Sequence, residues 1–354
     1  MTIPQQIEIL DIRHFNARQL RPLLEQEAAV WQQRLRWDYR SSTELLIQYL
    51  DSHLLPGFVA LLRGRVCGYC FCVFEGQKAV IGDLYTSSDV PAPLAITHTL
   101  ARHLLEMLEA APNVDRIEAQ LLLFDPGILP PAFASGGSTT FPRLFLELDV
   151  NPATAKHLAV SIPPGIVLSK WRASAYHGIA ELILSAYAGH VDSQINDQYR
   201  TLEGSLRFLH NIVRFPGCGT FDPDSSWIVE EQGSGTIVGV LLCSRVAHDT
   251  AHITQLCVAP AFRGRGLGKL LLNACVCELP AQRYAALTLT VSEANASAVR
   301  LYFGSGFRIR QRFDAMVIEK AARPNSLRAR LALLSDPDFA LPAASSRRAT
   351  PARR

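Results

Sequence analysis

The residues with the clearest chemical potential lie in one run, CVAPAFRGRGLGKLLL, Cys257 to Leu272. Glycines and arginines alternate from Arg263 to Gly268. An apolar, strand-like run leads in and a leucine-rich run leads out. Strand, glycine-rich turn and helix N-terminus together form an anion site. The first N–H groups of the helix have no internal partner, and the positive end of its dipole faces outward. Glycines let a ligand approach the backbone, and the arginines add charge.

Two nucleotide motifs fail here. A Walker loop needs glycine one position before Gly264 and Ser or Thr after Lys269, where Leu270 stands. The dinucleotide fingerprint needs glycine at Lys269. A second motif follows downstream, Asn295-Ala296-Ser297-Ala298-Val299-Arg300-Leu301-Tyr302-Phe303-Gly304-Ser305-Gly306-Phe307. At this spacing the pair resembles the acyl-CoA pyrophosphate loop and the NxxAxxLYxxxGF segment of the GNAT superfamily of N-acetyltransferases. The clear match runs from about Gly165 to Lys320.

The elements that must position these motifs are legible. SWIVEE and TIVGVLLCSRV read as a hairpin across Gly233–Gly235, and AHITQLCV as the next strand. Leu267, Leu270, Leu271, Ala274 and Cys275 fall on one face of a helix that Pro280 ends. ALTLTV alternates as a strand, and Asn295 caps a helix with Ala298, Leu301 and Tyr302 inward. The expected class is mixed α/β, an open sheet with helices on both faces.

The chain also repeats itself. Gly64, Gly68 and Cys72 recur as Gly235, Gly239 and Cys243, and Phe133 to Gly136 recurs as Phe303 to Gly306. A repeat this long is a duplicated domain. It predicts a first GNAT-like domain over 1–150, a linker over 151–165 and a second domain over 166–320. An Arg/Pro/Ala-rich tail over 321–354 is expected to be disordered. The tandem arrangement is similar to that of mycothiol synthases.

The net charge of +3 comes from that tail, which holds seven arginines and two aspartates and leaves −2 for the rest. The folded part is therefore not a basic nucleic-acid binder by composition. No run of eighteen apolar residues predicts a membrane span, and the N-terminus lacks a signal pattern, so a cytoplasmic location is expected. The eight cysteines include Cys67, Cys70 and Cys72 on a strand-like run, with no second pair at zinc spacing. They are expected to be core residues, with no metal.

The GNAT resemblance implies acetyl-CoA as co-substrate and a primary amine, on a small molecule or peptide, as acceptor. It implies that Leu256, Cys257 and Val258 pair with the pantetheine arm. Arg263, Gly264, Arg265, Gly266, Leu267, Gly268 and Lys269 would hold the pyrophosphate, and Asn295 and Arg300 would add contacts. Tyr302 is implied as the acid that protonates the leaving thiolate. Many relatives place a basic carboxylate where this chain has Gln255; His252, Glu293 and Asp192 are the substitutes. Tyr187 and Asp192 lie where the acceptor pocket is shaped. The first half lacks the glycine loop, having SSDVPAPLAITH from Ser87 to His98, and Ala132 stands where Tyr302 does. It is expected to be catalytically silent. A non-enzymatic module that binds acyl-CoA is the alternative.

Overall fold

Glycine turns, alternating apolar runs and proline stops divide the chain into thirteen strands and ten α-helices among the described residues. The computed structural model describes residues 7–320 apart from 135, 136, 157, 159 and 216. The tail expectation for 321–354 lies outside them. The first half holds β1 (Ile7–Asp11), α1 (Ala17–Leu35), α2 (Arg40–Asp51), β2 (Gly57–Leu62), β3 (Arg65–Glu75) and β4 (Lys78–Thr86). It continues with α3 (Pro93–Ala110), β5 (Arg116–Gln120), α4 (Pro130–Phe133) and β6 (Thr139–Asp149). After α5 (Pro152–Lys156), the second half holds β7 (Ile166–Lys170), α6 (Tyr176–Tyr187), α7 (Asp192–Ile195), α8 (Leu202–Arg214) and β8 (Thr220–Phe221). It ends with β9 (Trp227–Glu231), β10 (Ile237–Ala247), β11 (Thr250–Val258), α9 (Leu267–Glu278), β12 (Ala286–Ser292), α10 (Ala296–Gly304) and β13 (Arg308–Glu319).

The strands form one mixed sheet in the order β1-β2-β3-β4-β5-β13-β6-β12-β11-β10-β9-β7, with β8 on β10. Only β4–β5 and β11–β12 pair in parallel. Both faces are covered, as alternation along the strands requires. Tyr69 of β3 packs with α1 and α2, whereas its neighbour Cys70 packs with α3. In the second half Leu241 packs with α9, and Val240 and Leu242 with α6 and α8. The clustered cysteines Cys67, Cys70 and Cys72 are buried core residues.

The sequence boundary near 151–165 is not a boundary in the sheet. The last strand of each half sits against the other half. β6 pairs with β12 from Arg143↔Ser292 to Asp149↔Ala286. β13 pairs with β5 from Ala315↔Gln120 to Glu319↔Arg116. The two exchanged strands pair with each other at the centre. Residues 7–319 therefore share one sheet and belong to one compact unit.

Candidate active site

β11 carries the site because it bulges and then leaves its neighbour. Leu242 faces Gln255 and Cys243 faces Ile253, so Thr254 is an extra residue. β11 and β12 pair only from Thr250↔Ala286 to Ile253↔Leu289. Beyond that the two strands part. Ala259 N–H donates to Val238 at 2.8 Å. By the alternation of an antiparallel ladder, Cys257 then faces β10, and Leu256 and Val258 turn their N–H and C=O groups to the open edge. The groove along this edge is about 470 Å³ and reaches Tyr187, Gly264, Lys269, Asn295 and Leu301.

The glycine loop closes one end of the groove. Gly264 and Gly266 have φ of +77° and +79°, in the left-handed region that favours glycine. A Cβ at either would meet nothing within 4 Å, so the space outside the loop is open. Gly266 caps α9 with no side-chain hydrogen bond, leaving the first N–H groups of that helix free for an anion. The arginines divide the work. Arg263 braces the loop from within, donating to the Ala186 carbonyl at 2.6 Å and the Val258 carbonyl at 3.4 Å. Arg265 lies over the Phe262 ring at 4.8 Å. Asn295 caps α10 through its Oδ1, which accepts from Ala298 N–H at 3.2 Å.

Tyr302 stands on the inner face of α10, buried and edge-on to Phe307. Burial raises its pKa above that of a free phenol, with the charge of Asp192 and the neighbouring Cys257 adding to the effect. It stays protonated, as an acid must. Burial pushes the Cys257 thiol up to about 12, so it is not a nucleophile at neutral pH. Tyr187 donates to Gln255 Oε1 at 2.8 Å and stacks on Tyr199 at 4.2 Å. Asp192 begins α7, accepts a hydrogen bond from the Ser292 hydroxyl and lies 3.6 Å from Arg143. Arg143 belongs to β6, from the first half, and nothing in the local sequence signals its arrival here.

Six expected site residues do not line the groove. His252 lies on β11 before the bulge, bonded through Nδ1 to Thr288 Oγ1 at 2.9 Å and packed on Trp37 and Phe145. It lines a separate cavity between the halves, and burial lowers its pKa to about 3. A ring that resists protonation this strongly is a poor base. Glu293 is half-exposed and paired to Arg312 at 2.7 Å, so its charge is already engaged. Arg300, Arg265, Tyr302 and Asp192 are likewise absent from the groove lining, although the charge of Asp192 reaches Tyr302.

The first half keeps the splay but not the loop. β4 and β5 pair only from Lys78↔Arg116 to Ile81↔Ala119. Asp83 lies just beyond, lining the cavity of about 240 Å³ that also holds Trp37, His252 and Thr290. Its Oδ2 accepts from Tyr39 at 2.8 Å and Tyr69 at 3.1 Å, and Tyr69 also donates to Glu27 Oε2 at 2.5 Å. Burial holds both carboxyls above their usual range, and for Glu27 the nearby Asp83 adds to it. Glu27 lies far from Asp83 in sequence, so the pair is visible only in space. Where α9 opens on glycine, α3 opens on Ala92 and Pro93, and proline removes one N–H from the helix end.

The second half thus brings together a splayed parallel pair, an open strand edge and a glycine turn on a helix N-terminus, with the buried Tyr302 on the following helix. The Acetyltransferase (GNAT) family model matches residues 192–307. The matched segment holds both the glycine loop and the downstream Asn295–Phe307 motif, so the second half is similar to the GNAT acetyltransferases there. Mycothiol acetyltransferase of Beutenbergia cavernae is 34% identical over 202 residues, 54% of this chain and 64% of that protein. A ribosomal protein bS18-alanine N-acetyltransferase of Salmonella typhimurium is 38% identical over 64 residues, 18% of this chain and 43% of that protein. The chain thus spans less than two thirds of either relative.

The fold likeness extends over both halves. A GCN5-related N-acetyltransferase from Sphaerobacter thermophilus superposes with a TM-score of 0.63 at 15% identity, covering 91% of this chain and 98% of that one. A tandem GNAT protein from the clavulanic acid biosynthesis pathway superposes with 0.56 at 16% identity, covering 90% and 100%. The tandem arrangement expected from the repeat is therefore found in solved structures. Among the described residues no helix is long and apolar enough to cross a membrane, and no cluster of metal-ligating side chains occurs.

Proposed function

We propose that the chain is an acetyl-CoA-dependent N-acetyltransferase acting on a primary amine, with the groove of the second half as its working site. One observation carries this reading. The open edge of β11 at Leu256 and Val258 runs directly into the uncapped N-terminus of α9. An extended amide arm can pair with the former by strand addition, and a pyrophosphate with the latter. Acetyl-CoA would supply an acetyl thioester at the splay.

The chain's own residues do the rest. Leu256 and Val258 position the arm, and an N–H on this edge stabilises the developing oxyanion. Gly264, Gly266, Leu267, Gly268 and Lys269 hold the phosphates, while Arg263 keeps the loop in shape. A free alkylamine is protonated at pH 7. Asp192, whose charge reaches Tyr187, Tyr199 and Tyr302, holds the ammonium and takes its proton. Tyr302 protonates the leaving thiolate. The first half shapes the acceptor side without turning over.

The other reading, a module that binds acyl-CoA without chemistry, draws on Gln255 standing where many relatives have a base. The test is calorimetric titration with acetyl-CoA, followed by thiol release over an amine panel. One binding site and turnover are expected. Tyr302→Phe is expected to lower kcat about 100-fold while leaving the acetyl-CoA Kd unchanged. Binding without turnover across the panel would favour the module, and absent binding would remove the acyltransferase reading.

A further inference from the structure

Behind Tyr187, which lines the groove, lie buried hydrogen-bond donors with nothing to donate to. Arg143 Nε has no partner, although the side chain is only 10% exposed. Its two terminal nitrogens reach Thr290 Oγ1 at 3.5 Å and Asp192 Oδ1 at 3.6 Å. Both contacts are at or beyond the limit of a useful hydrogen bond. Asp192 spends its carboxylate on the Ser292 hydroxyl instead. Across the splay, Gln255 is 4% exposed, and its Oε1 is taken by Tyr187 while its Nε2 is unpartnered. Tyr187 and Tyr199 connect the two places. They stack on each other, and the charges of Asp192 and Arg143 act on Tyr199 in opposite directions.

Arginines elsewhere in this fold are not left this way. Arg116, also nearly buried, binds Glu118, Glu319 and the carbonyls of Gln194 and Ile195. Arg36 binds Glu147 and Asp249. Arg310 binds Glu147 and the carbonyls of Arg34 and Gln33. A buried guanidinium with idle N–H groups is costly unless something fills them. Both orphaned atoms are donors, so the missing partner is rich in acceptors.

Building on the acetyltransferase reading, we propose that the acceptor is an amino carboxylate, with its carboxylate on Arg143 and its ammonium on Asp192. Arginine's planar fork matches a carboxylate in two parallel hydrogen bonds. The guanidinium and the Asp192 carboxylate stand side by side without a hydrogen bond between them, a charge pair complementary to a zwitterion. A dianionic phosphate fits less well, because Asp192 would repel it. Gln255 at the position of a carboxylate serves the same end: it offers an N–H to a substrate oxygen and adds no negative charge. Because β6 comes from the first half, the acceptor site is complete only when both halves are present.

The experiment compares free amino acids with their amides and decarboxylated amines in acetyl-CoA-dependent thiol release. In parallel, calorimetry measures binding of N-acetyl amino acids and their amides, with and without CoA. The carboxylated forms are expected to be favoured about 30-fold or more. Arg143→Ala and Arg143→Met, which keeps the packing of the stem, are expected to erase that preference. Arg143→Lys should restore part of it, and all three should keep the acetyl-CoA Kd. The proposal is overturned if amides do as well as acids. It is also overturned if the preference survives in Arg143→Ala, or if no carboxylated ligand turns over or binds. Loss of acetyl-CoA binding in the unaltered protein would instead count against the acetyltransferase reading, and the binding arm without CoA would still decide this one.

Discussion

Tyr302 and His252 are both buried, and burial acts on them in opposite senses. It removes water from the charged form in each case. The tyrosine therefore keeps its proton and the histidine refuses one. For His252 the folded pKa of about 3 lies below the usual value of 6.5. Between those values the unfolded chain binds a proton that the folded chain does not, so stability falls as pH drops from about 6.5 toward about 3. Glu27 and Asp83 act in the other direction. Their raised carboxyls bind protons better in the folded state, so their contribution weakens as pH rises above the ordinary carboxyl range. His252→Gln is expected to flatten the loss of Tm between pH 7 and pH 5, while acetyl-CoA turnover persists. Thermal scans across that interval decide it, and an unchanged slope would show that another group dominates.

The strand–loop–helix unit shows how an element turns backbone geometry into binding. β11 can offer Leu256 and Val258 only because its bulge re-aims it away from β12. α9 can offer its N-terminus only because Gly266 turns the chain at φ +79° and places no side chain over the helix end. Valine at this position costs about 1–2 kcal/mol in the left-handed region, and its branches would cover the free N–H groups. Gly266→Val is expected to weaken acetyl-CoA binding about tenfold or more and to lower Tm by a few degrees. Calorimetry on the folded variant checks this, and a wild-type Kd would show that the loop does not hold the phosphates. The first half supplies the contrast, since α3 starts at Pro93 and offers fewer donors.

At the scale of the whole molecule, the exchange of β6 and β13 makes the two halves one object. Arg36 binds Glu147 and Asp249, and Asp38 N–H donates to Val246 C=O at 2.8 Å, so α1 and its following turn are tied to the second half. Phe145 and Phe313, one from each exchanged strand, are buried in the same cluster beneath α1 and α2. A fragment from residue 160 onward would leave the β12 edge bare, and an exposed edge recruits other strands. That fragment is expected to aggregate or dimerise, and co-expression with residues 1–155 is expected to recover a soluble complex. A folded monomer of the isolated second half, seen by sedimentation, would contradict the importance of the exchange.

Local chemistry determined much of this protein in advance. The glycine loop, the Asn295 cap, the β9–β10 hairpin and the α9 face were all readable, because each depends on residues within a few turns of one another. So was the repeat, and with it the GNAT-like fold. The failures share one cause. His252 and Glu293 have suitable side chains close in sequence to the motif, but strand direction and the bulge send the first to another cavity, and Arg312 neutralises the second. Arg143, Glu27 and Asp83 gain their meaning from partners far along the chain. Which strand lies beside β12 is decided by sheet pairing between the halves, where many registers satisfy the same alternating pattern. Only the tertiary structure, by choosing β6, brought Arg143 of the first half beside Asp192 of the second.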